Sequence, residues 1–382
     1  MAEFGFTEAQ EMFRQEMRRF AQNEIAPGAR ERHRTLTEIP VEIRRKLGDL
    51  GLLGINQPVE YGGQPGNYVS IGIAIEEITK ADFLVGGYIT LPTAALMAIG
   101  QAPKEVQGEW IPDLISGEKI VVPANTENHC GSDAGAIKST AVKDGDSYVL
   151  NGEKMAICQA LNLHAAVVFA KTDPDAGFRG VTAFLLPMDL PGITRFPINY
   201  IGWKPQGLGG FAMENVRIPE KYRLSEEGKG FYLAMSQFDF LRVGIGLTAL
   251  GMAQASLEEA MGYAKQRTAF GRPIASFQGI SFKLVEDATL VEAGRLLCYR
   301  ALSMKNQGLM HTKESAMAKW FCPKIATEVI HNCVLALGHF GYTTDYPLAE
   351  RLRDVVGLEI GDGTPEIMKT ILVREMIGKE FV

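Results

Sequence analysis

The stretch Glu359-Ile360-Gly361-Asp362-Gly363-Thr364-Pro365-Glu366-Ile367 sets one short carboxylate, Asp362, between two glycines and directly before a helix start. Two readings are open on these residues. In the first the stretch is only a turn, because a short acidic side chain caps its own backbone and glycine supplies unusual dihedrals. In the second the bare backbone holds an acid where a ligand can come close, beside the unpaired N–H groups of a helix N-terminus. A motif of nine residues does not separate them.

The elements around it fall into three regions. Residues 1–118 read as helical: Thr7-Glu8-Ala9-Gln10 has the capping-box pattern, followed by Met12, Phe13, Met17 and Phe20 at helical spacing. "EIPVEIRRKLGDLGLLGI" and "NYVSIGIAIEEITKADF" continue the helical pattern on either side of a Pro/Gly loop. Residues 119–226 alternate polar and apolar residues, and the Asp-Gly and Asn-Gly pairs of "DGDSYVLNGEKM" predict hairpin turns. That region is expected to be a β domain, a small barrel or sandwich. Residues 227–382 return to helix, with three long apolar-periodic segments and a short last helix that starts at Thr364-Pro365. The expected fold is α+β: an N-terminal helical domain, a middle β domain and a C-terminal four-helix bundle.

Composition sets limits on what such a chain does. With 382 residues it is long for a single core. A formal net charge of −6, and no basic run longer than the local cluster at 30–34, argue against a large nucleic-acid footprint. The five cysteines (Cys130, Cys158, Cys298, Cys322 and Cys333) show no C-x-x-C spacing and read as reduced, mostly buried thiols. The histidines lack zinc spacing, so no metal is expected; His331 and His339 read as structural. No run of eighteen apolar residues occurs, which predicts no membrane span, and the Glu-bearing N-terminus does not resemble a transit peptide. A cytoplasmic protein of a prokaryotic cell is the expectation.

Five local sequences, in order, resemble the acyl-CoA dehydrogenase family. "TENHCGSDAGAIKSTA" is similar to its T-E-P-x-x-G-S-D stretch, and "DGDSYVLNGEKM" and "GFRGVTAFLL" follow at family spacing. "QRTAFGRPIASFQGISFKLVEDA" is close to R-x-x-F-G-x-P-I…F-Q, and "GYTTDYPLAERLRDVVGLEIGDGTPEIMKTILVREMIG" matches the C-terminal signature. The resemblance implies bound FAD and an acyl-CoA substrate, a homotetramer, and electron transfer to an electron-transferring flavoprotein. It implies that Thr126 and Ser132 contact the flavin and the ligand, and that Cys158 faces flavin N5. Arg267, Phe270 and Gln278 would reach the FAD of a neighbouring subunit; Thr364 and Glu366 would lie beside the cofactor. Phe238, Asp239 and Arg242 match the stretch that holds the CoA arm, although either phenylalanine would also suit a core. Asp362 falls at the catalytic base, where a carboxylate removes the α-proton while a hydride leaves the β-carbon. Gly361 and Gly363 would let the backbone approach the thioester, and the residue-362 N–H would meet its carbonyl oxygen. The other base position known in the family, just before the matched arginine, holds Leu241 here.

The chain also departs from the family pattern. "KMAIC" places Ala156 where an indole is usual and Cys158 where a threonine is usual, and Gly361 replaces a tyrosine. "LALGHFGY" carries Leu335 and His339 in place of Gln and Gly, while Gly338 and Gly341 still suit a tight turn and Gly338 the cofactor. Asp for Glu shortens the base by roughly 1.5 Å. These changes make room, which favours a cyclic or branched acyl group; cyclohexane-1-carbonyl-CoA, going to the cyclohex-1-ene product, is the specific expectation. The alternatives are an oxygen-using flavoenzyme, an acyl-CoA oxidase or a nitroalkane-oxidase-like enzyme, of which Asp239 and Arg242 favour a user of CoA esters, and a nucleic-acid-associated branch, which the acidic balance disfavours.

Overall fold

The structure, a computed structural model, describes residues 5–36 and 38–382. Helices α1 (Glu8–Phe20), α2 (Ala29–Thr35), α3 (Val41–Asp49), α4 (Tyr68–Ala81), α5 (Phe83–Ile99) and α6 (Lys104–Ile115) come first. Strands β1 (Val121–Ala124), β2 (Thr140–Asp144), β3 (Ser147–Ile157), β4 (Ala165–Lys171), β5 (Val181–Pro187), β6 (Ile193–Pro197) and β7 (Gly209–Pro219) follow. Then come α7 (Gly230–Gln266), a hairpin of β8 (Thr268–Ala269) and β9 (Arg272–Pro273), α8 (Gln278–Asn306), α9 (Thr312–Leu337), α10 (Leu348–Ile360) and α11 (Pro365–Met376). They pack into two compact units: Met1–Thr37, Asn67–Gly87 and Arg242–Val382 form one, Glu38–Gly66 and Tyr88–Leu241 the other.

In the first unit α1 starts on the capping box that Thr7 and Gln10 predict. Helix α4 is buried nearly all round, so its two acids must be paired. Glu76 accepts from Arg295 Nε (2.7 Å) and the Tyr299 hydroxyl (2.8 Å), and Glu77 from Arg18 (2.9 and 3.0 Å). After α9 the sequence predicts a single short helix; the structure has two. Leu348, Val355 and Leu358 give α10 a buried stripe, and it packs on α9. Pro347 and the Gly361-Asp362-Gly363 turn bound it, and these breakers make a separate helix of what reads as connection.

In the second unit seven strands form one sheet, ordered β1-β4-β2-β3-β7-β6 with β5 also on β4. The Asp144-Gly145 pair makes the predicted hairpin, with Asp144 opposite Ser147. Asn151-Gly152 does not. Gly152 lies inside β3 at a register shift, with φ +140°, and a Cβ there would sit 2.3 Å from Ser139 Oγ. A bulge uses the same glycine freedom as a turn, so the dipeptide alone cannot distinguish them. The sheet also differs from a run of hairpins, since β1 pairs with β4 in parallel.

Among the described residues one helix, α7, is long and apolar enough to cross a membrane, and 94% of its most apolar window is buried inside the protein. This is the signature of a core helix.

Candidate active site

Helix α10 ends at Ile360 and α11 begins at Pro365, leaving Gly361 to Thr364 as a tight link. Asp362 adopts φ +54° and Gly363 φ +110°, so the acid sits in the left-handed region that aspartate tolerates better than most residues. Backbone held this way concentrates at functional sites. Thr364 caps α11, its hydroxyl accepting from Ile367 N at 3.4 Å. A Cβ at Gly361 would meet only the Gly357 carbonyl oxygen, at 3.5 Å, whereas one at Gly363 would press on Met368 Cε at 2.5 Å.

Beneath the turn lies a residue that no motif marked. Lys319 of α9 is fully buried, and its ammonium donates to the carbonyl oxygens of Glu359 (3.2 Å) and Gly363 (2.9 Å). The Glu359 carbonyl belongs to the last turn of α10, where carbonyls lack helical partners and a lysine supplies one. Burial pushes the Lys319 ammonium down to about 8, against the pull of Asp362. Burial likewise raises the Asp362 carboxyl above its ordinary value, opposed by the charges of Lys319 and Arg242. Asp362 is half-buried in surface terms and Arg242 is 5% exposed. A carboxyl that burial draws upward, with two cations opposing the shift, has the properties of a general base.

The sequence assigned Arg242 to a ligand arm; the structure adds its charge to the field at Asp362. Lys319 was invisible, and its one signal is a lysine set among Ala316, Ala318 and Cys322 on a buried helix face. Phe270 is 95% exposed, which removes it from any core, and Arg267 and Gln278 are exposed beside it around the β8–β9 hairpin. Phe238 and Asp239 are half-buried on α7. Gly338, at φ +59°, ends α9, with Leu335 and His339 exposed next to it. Glu366 is exposed, with its carboxylate 3.8 Å from Lys369.

In the second unit Thr126 and Ser132 lie on the loop after β1, half-buried and exposed respectively. Met155 N donates to Thr126 O at 2.9 Å and so ties this loop to β3. A wholly buried ion pair fixes it further: Lys154 Nζ lies 2.7 Å from Glu127 Oε1 and 2.7 Å from Phe169 O. Ala156 is exposed at φ +56° and Cys158 is half-buried. Just beyond, the side-chain amides of Gln159 and Gln206 are buried with no partner on nitrogen or oxygen among the described residues. Glu127, His129 and Cys130 approach within 4.8 Å of one another, but the Glu127 oxygens already accept from Lys154, Lys138 N and Ser139 N. That acid has little left for a metal.

In the second unit Thr126, Cys158 and the buried amides of Gln159 and Gln206 are polar groups able to take part in binding a polar cofactor; in the first, the 361–364 turn offers backbone with little side-chain cover at Gly361. Order of elements and chemistry of the side chains are those of an enzyme rather than of a purely structural chain. Comparison with known proteins gives the particular family. The patterns of the acyl-CoA dehydrogenase N-terminal, middle and C-terminal domains match residues 7–118, 123–216 and 228–377. The chain belongs to the acyl-CoA dehydrogenase family. An acyl-CoA dehydrogenase of Bacillus subtilis is 39% identical over 97% of this chain and 99% of its own. The mouse mitochondrial short-chain specific acyl-CoA dehydrogenase is 38% identical, over 97% of this chain and 90% of its own. Butyryl-CoA dehydrogenase from Megasphaera elsdenii superposes with a TM-score of 0.94 at 32% identity, covering 98% of this chain and all of that one. The cofactor of this family is FAD, and the chain is an acyl-CoA dehydrogenase.

Proposed function

We propose that Asp362 is the base that takes the α-proton of an acyl-CoA thioester, and that the product is the 2,3-enoyl-CoA. The observation that carries this reading is the Gly-Asp-Gly turn itself: bare backbone around a half-buried carboxylate that Lys319 and Arg242 hold toward its anionic form. FAD, when bound, accepts the hydride from the β-carbon. The chain's own part is to orient the thioester, take the proton at the Asp362 carboxylate and meet the carbonyl oxygen with the residue-362 N–H. Gly361 and Gly363 are proposed to let the backbone of this turn approach the thioester, Gly363 by adopting φ +110°. Thr126, Ser132, Cys158, Gly338, Thr364 and Glu366 are the residues proposed to hold the cofactor. Phe238, Asp239 and Arg242, with Ser132, are proposed for the substrate.

The proposed acyl group is cyclic or α-branched, such as cyclohexane-1-carbonyl. Support comes from the open space at Gly361 and from the methyl of Ala156 where the family carries an indole. Arg267, Phe270 and Gln278 are proposed to serve a neighbour's FAD in a homotetramer. Their exposure supports this, and sedimentation of a fully flavinylated monomer would end it. The proposed setting is the cytoplasm, with an electron-transferring flavoprotein as acceptor. Anaerobic bleaching of the flavin with straight, branched and cyclic acyl-CoAs tests the substrate. A tenfold preference for butyryl- over cyclohexane-1-carbonyl-CoA, about 1.4 kcal/mol, refutes the cyclic pocket. Asp362→Asn should keep FAD and slow flavin reduction by about two or more orders of magnitude. Near wild-type reduction in that variant moves the base elsewhere.

A further inference from the structure

We propose that Lys319 is the positioning residue for the base: anchored to the carbonyl oxygens of Glu359 and Gly363, its ammonium clamps both ends of the turn that carries Asp362 and sets a positive charge against that turn. This rests on the reading of Asp362 as the base. Three observations carry it. The two acceptors bracket the acid in sequence, so one group fixes the exit of α10 and the residue before the Thr364 cap. The lysine is fully buried, and among the described residues the partners of its ammonium are two carbonyl oxygens rather than a carboxylate. Asp362 cannot relax into an ordinary turn without giving up φ +54°, and the clamp holds it there at the carbonyls on either side.

The charged groups around Lys319 define what a titration would report. Asp362 faces it from the turn, Glu359 from α10 and Arg242 from α7. The Glu359 carboxylate is engaged by the Thr327 hydroxyl at 2.6 Å. On α11, Glu366 and Lys369 are exposed and face each other. Removing the lysine charge therefore leaves Arg242 as the only cation acting on Asp362 among those that perturb it.

The test is the pH dependence of anaerobic flavin reduction by the holoenzyme, with whichever acyl-CoA bleaches it fastest. In Lys319→Gln, which keeps N–H donors but loses the charge, the acid limb should move to higher pH. Reduction below that limb should fall about tenfold, the scale of losing one nearby opposite charge, with little change well above it. Lys319→Arg should restore the wild-type limb. The infrared carboxylic-acid band that Asp362→Asn abolishes should show the same shift without turnover. A Lys319→Gln enzyme with the wild-type limb and band overturns the proposal while leaving Asp362 as base; a fully active Asp362→Asn enzyme overturns both. Should the Lys319 variants not fold, coupling is reciprocal. The isotope-labelled Lys319 Cε resonance should then titrate at lower pH in Asp362→Asn than in the wild type, and an unchanged titration refutes the link.

Discussion

Each compact unit buries one lysine completely, and the two are held in opposite ways. Lys154 lies in contact with Glu127, with carbonyl oxygens completing its shell. Burial alone would raise the Glu127 carboxyl, but the Lys154 charge and the Lys138 N–H more than offset it and leave it below its ordinary value. Among the described residues Lys319 has two carbonyl oxygens and no contact acid, and burial brings it to about 8. A closed pair is a staple, because both charges are neutralised where they stand. A lysine solvated only by carbonyls keeps an outward field, and what it acts on is Asp362. The first arrangement builds a loop; the second tunes a group that must change protonation state.

Removal of one partner sharpens this contrast most. Lys154→Met leaves Glu127 as an uncompensated buried charge and should cost about 3–5 kcal/mol of stability in chemical denaturation. Adding Glu127→Leu should recover a large part of that loss, since the penalty lies in the orphaned acid. A Lys154→Met protein of wild-type stability breaks the comparison outright.

Lys319→Met should cost less, about 1–3 kcal/mol, for two carbonyl oxygens left without a donor. Its pH signature is distinctive. Because folding lowers the Lys319 pKa from 10.5 to about 8, the unfolded chain binds the extra proton between those values. Wild-type stability should thus rise relative to Lys319→Met as pH goes from about 8 toward 10.5, by at most roughly 1.4 kcal/mol per pH unit. Parallel stability curves for the two proteins across that window contradict the placement of the lysine.

The smallest effect is expected at Asp362. Its carboxyl is raised in the folded state, so the stability it contributes is present below the ordinary carboxylate range and is lost as pH rises through the folded value. Asp362→Asn should therefore melt at or slightly above the wild type at neutral pH, by about 0.5 kcal/mol, and lose that advantage in acid. Asparagine accepts the same left-handed backbone, so no conformational penalty masks the result. A marked loss of stability in Asp362→Asn would make the acid structural.

Much of this protein is decided locally. The Thr7 capping box, the Thr364-Pro365 helix start, the Asp144-Gly145 hairpin and the apolar periods of α7, α8 and α9 depend on residues within one or two turns of each other, and all are legible in the chain. Asp362 is proposed as the base on the strength of five motifs in order, which supply a family frame that the turn alone does not. Where the signal is degenerate the chain misleads, as at Asn151-Gly152, because a bulge and a turn ask the same of glycine. What only the tertiary structure decides is electrostatic. Lys319 precedes Asp362 by forty-three positions and Arg242 by many more, and no spacing rule joins them. The loss of water around all three sets their strength, and burial is a property of packed elements: a lysine among alanines reads as a helix face until α9, α10 and the turn between α10 and α11 close over it.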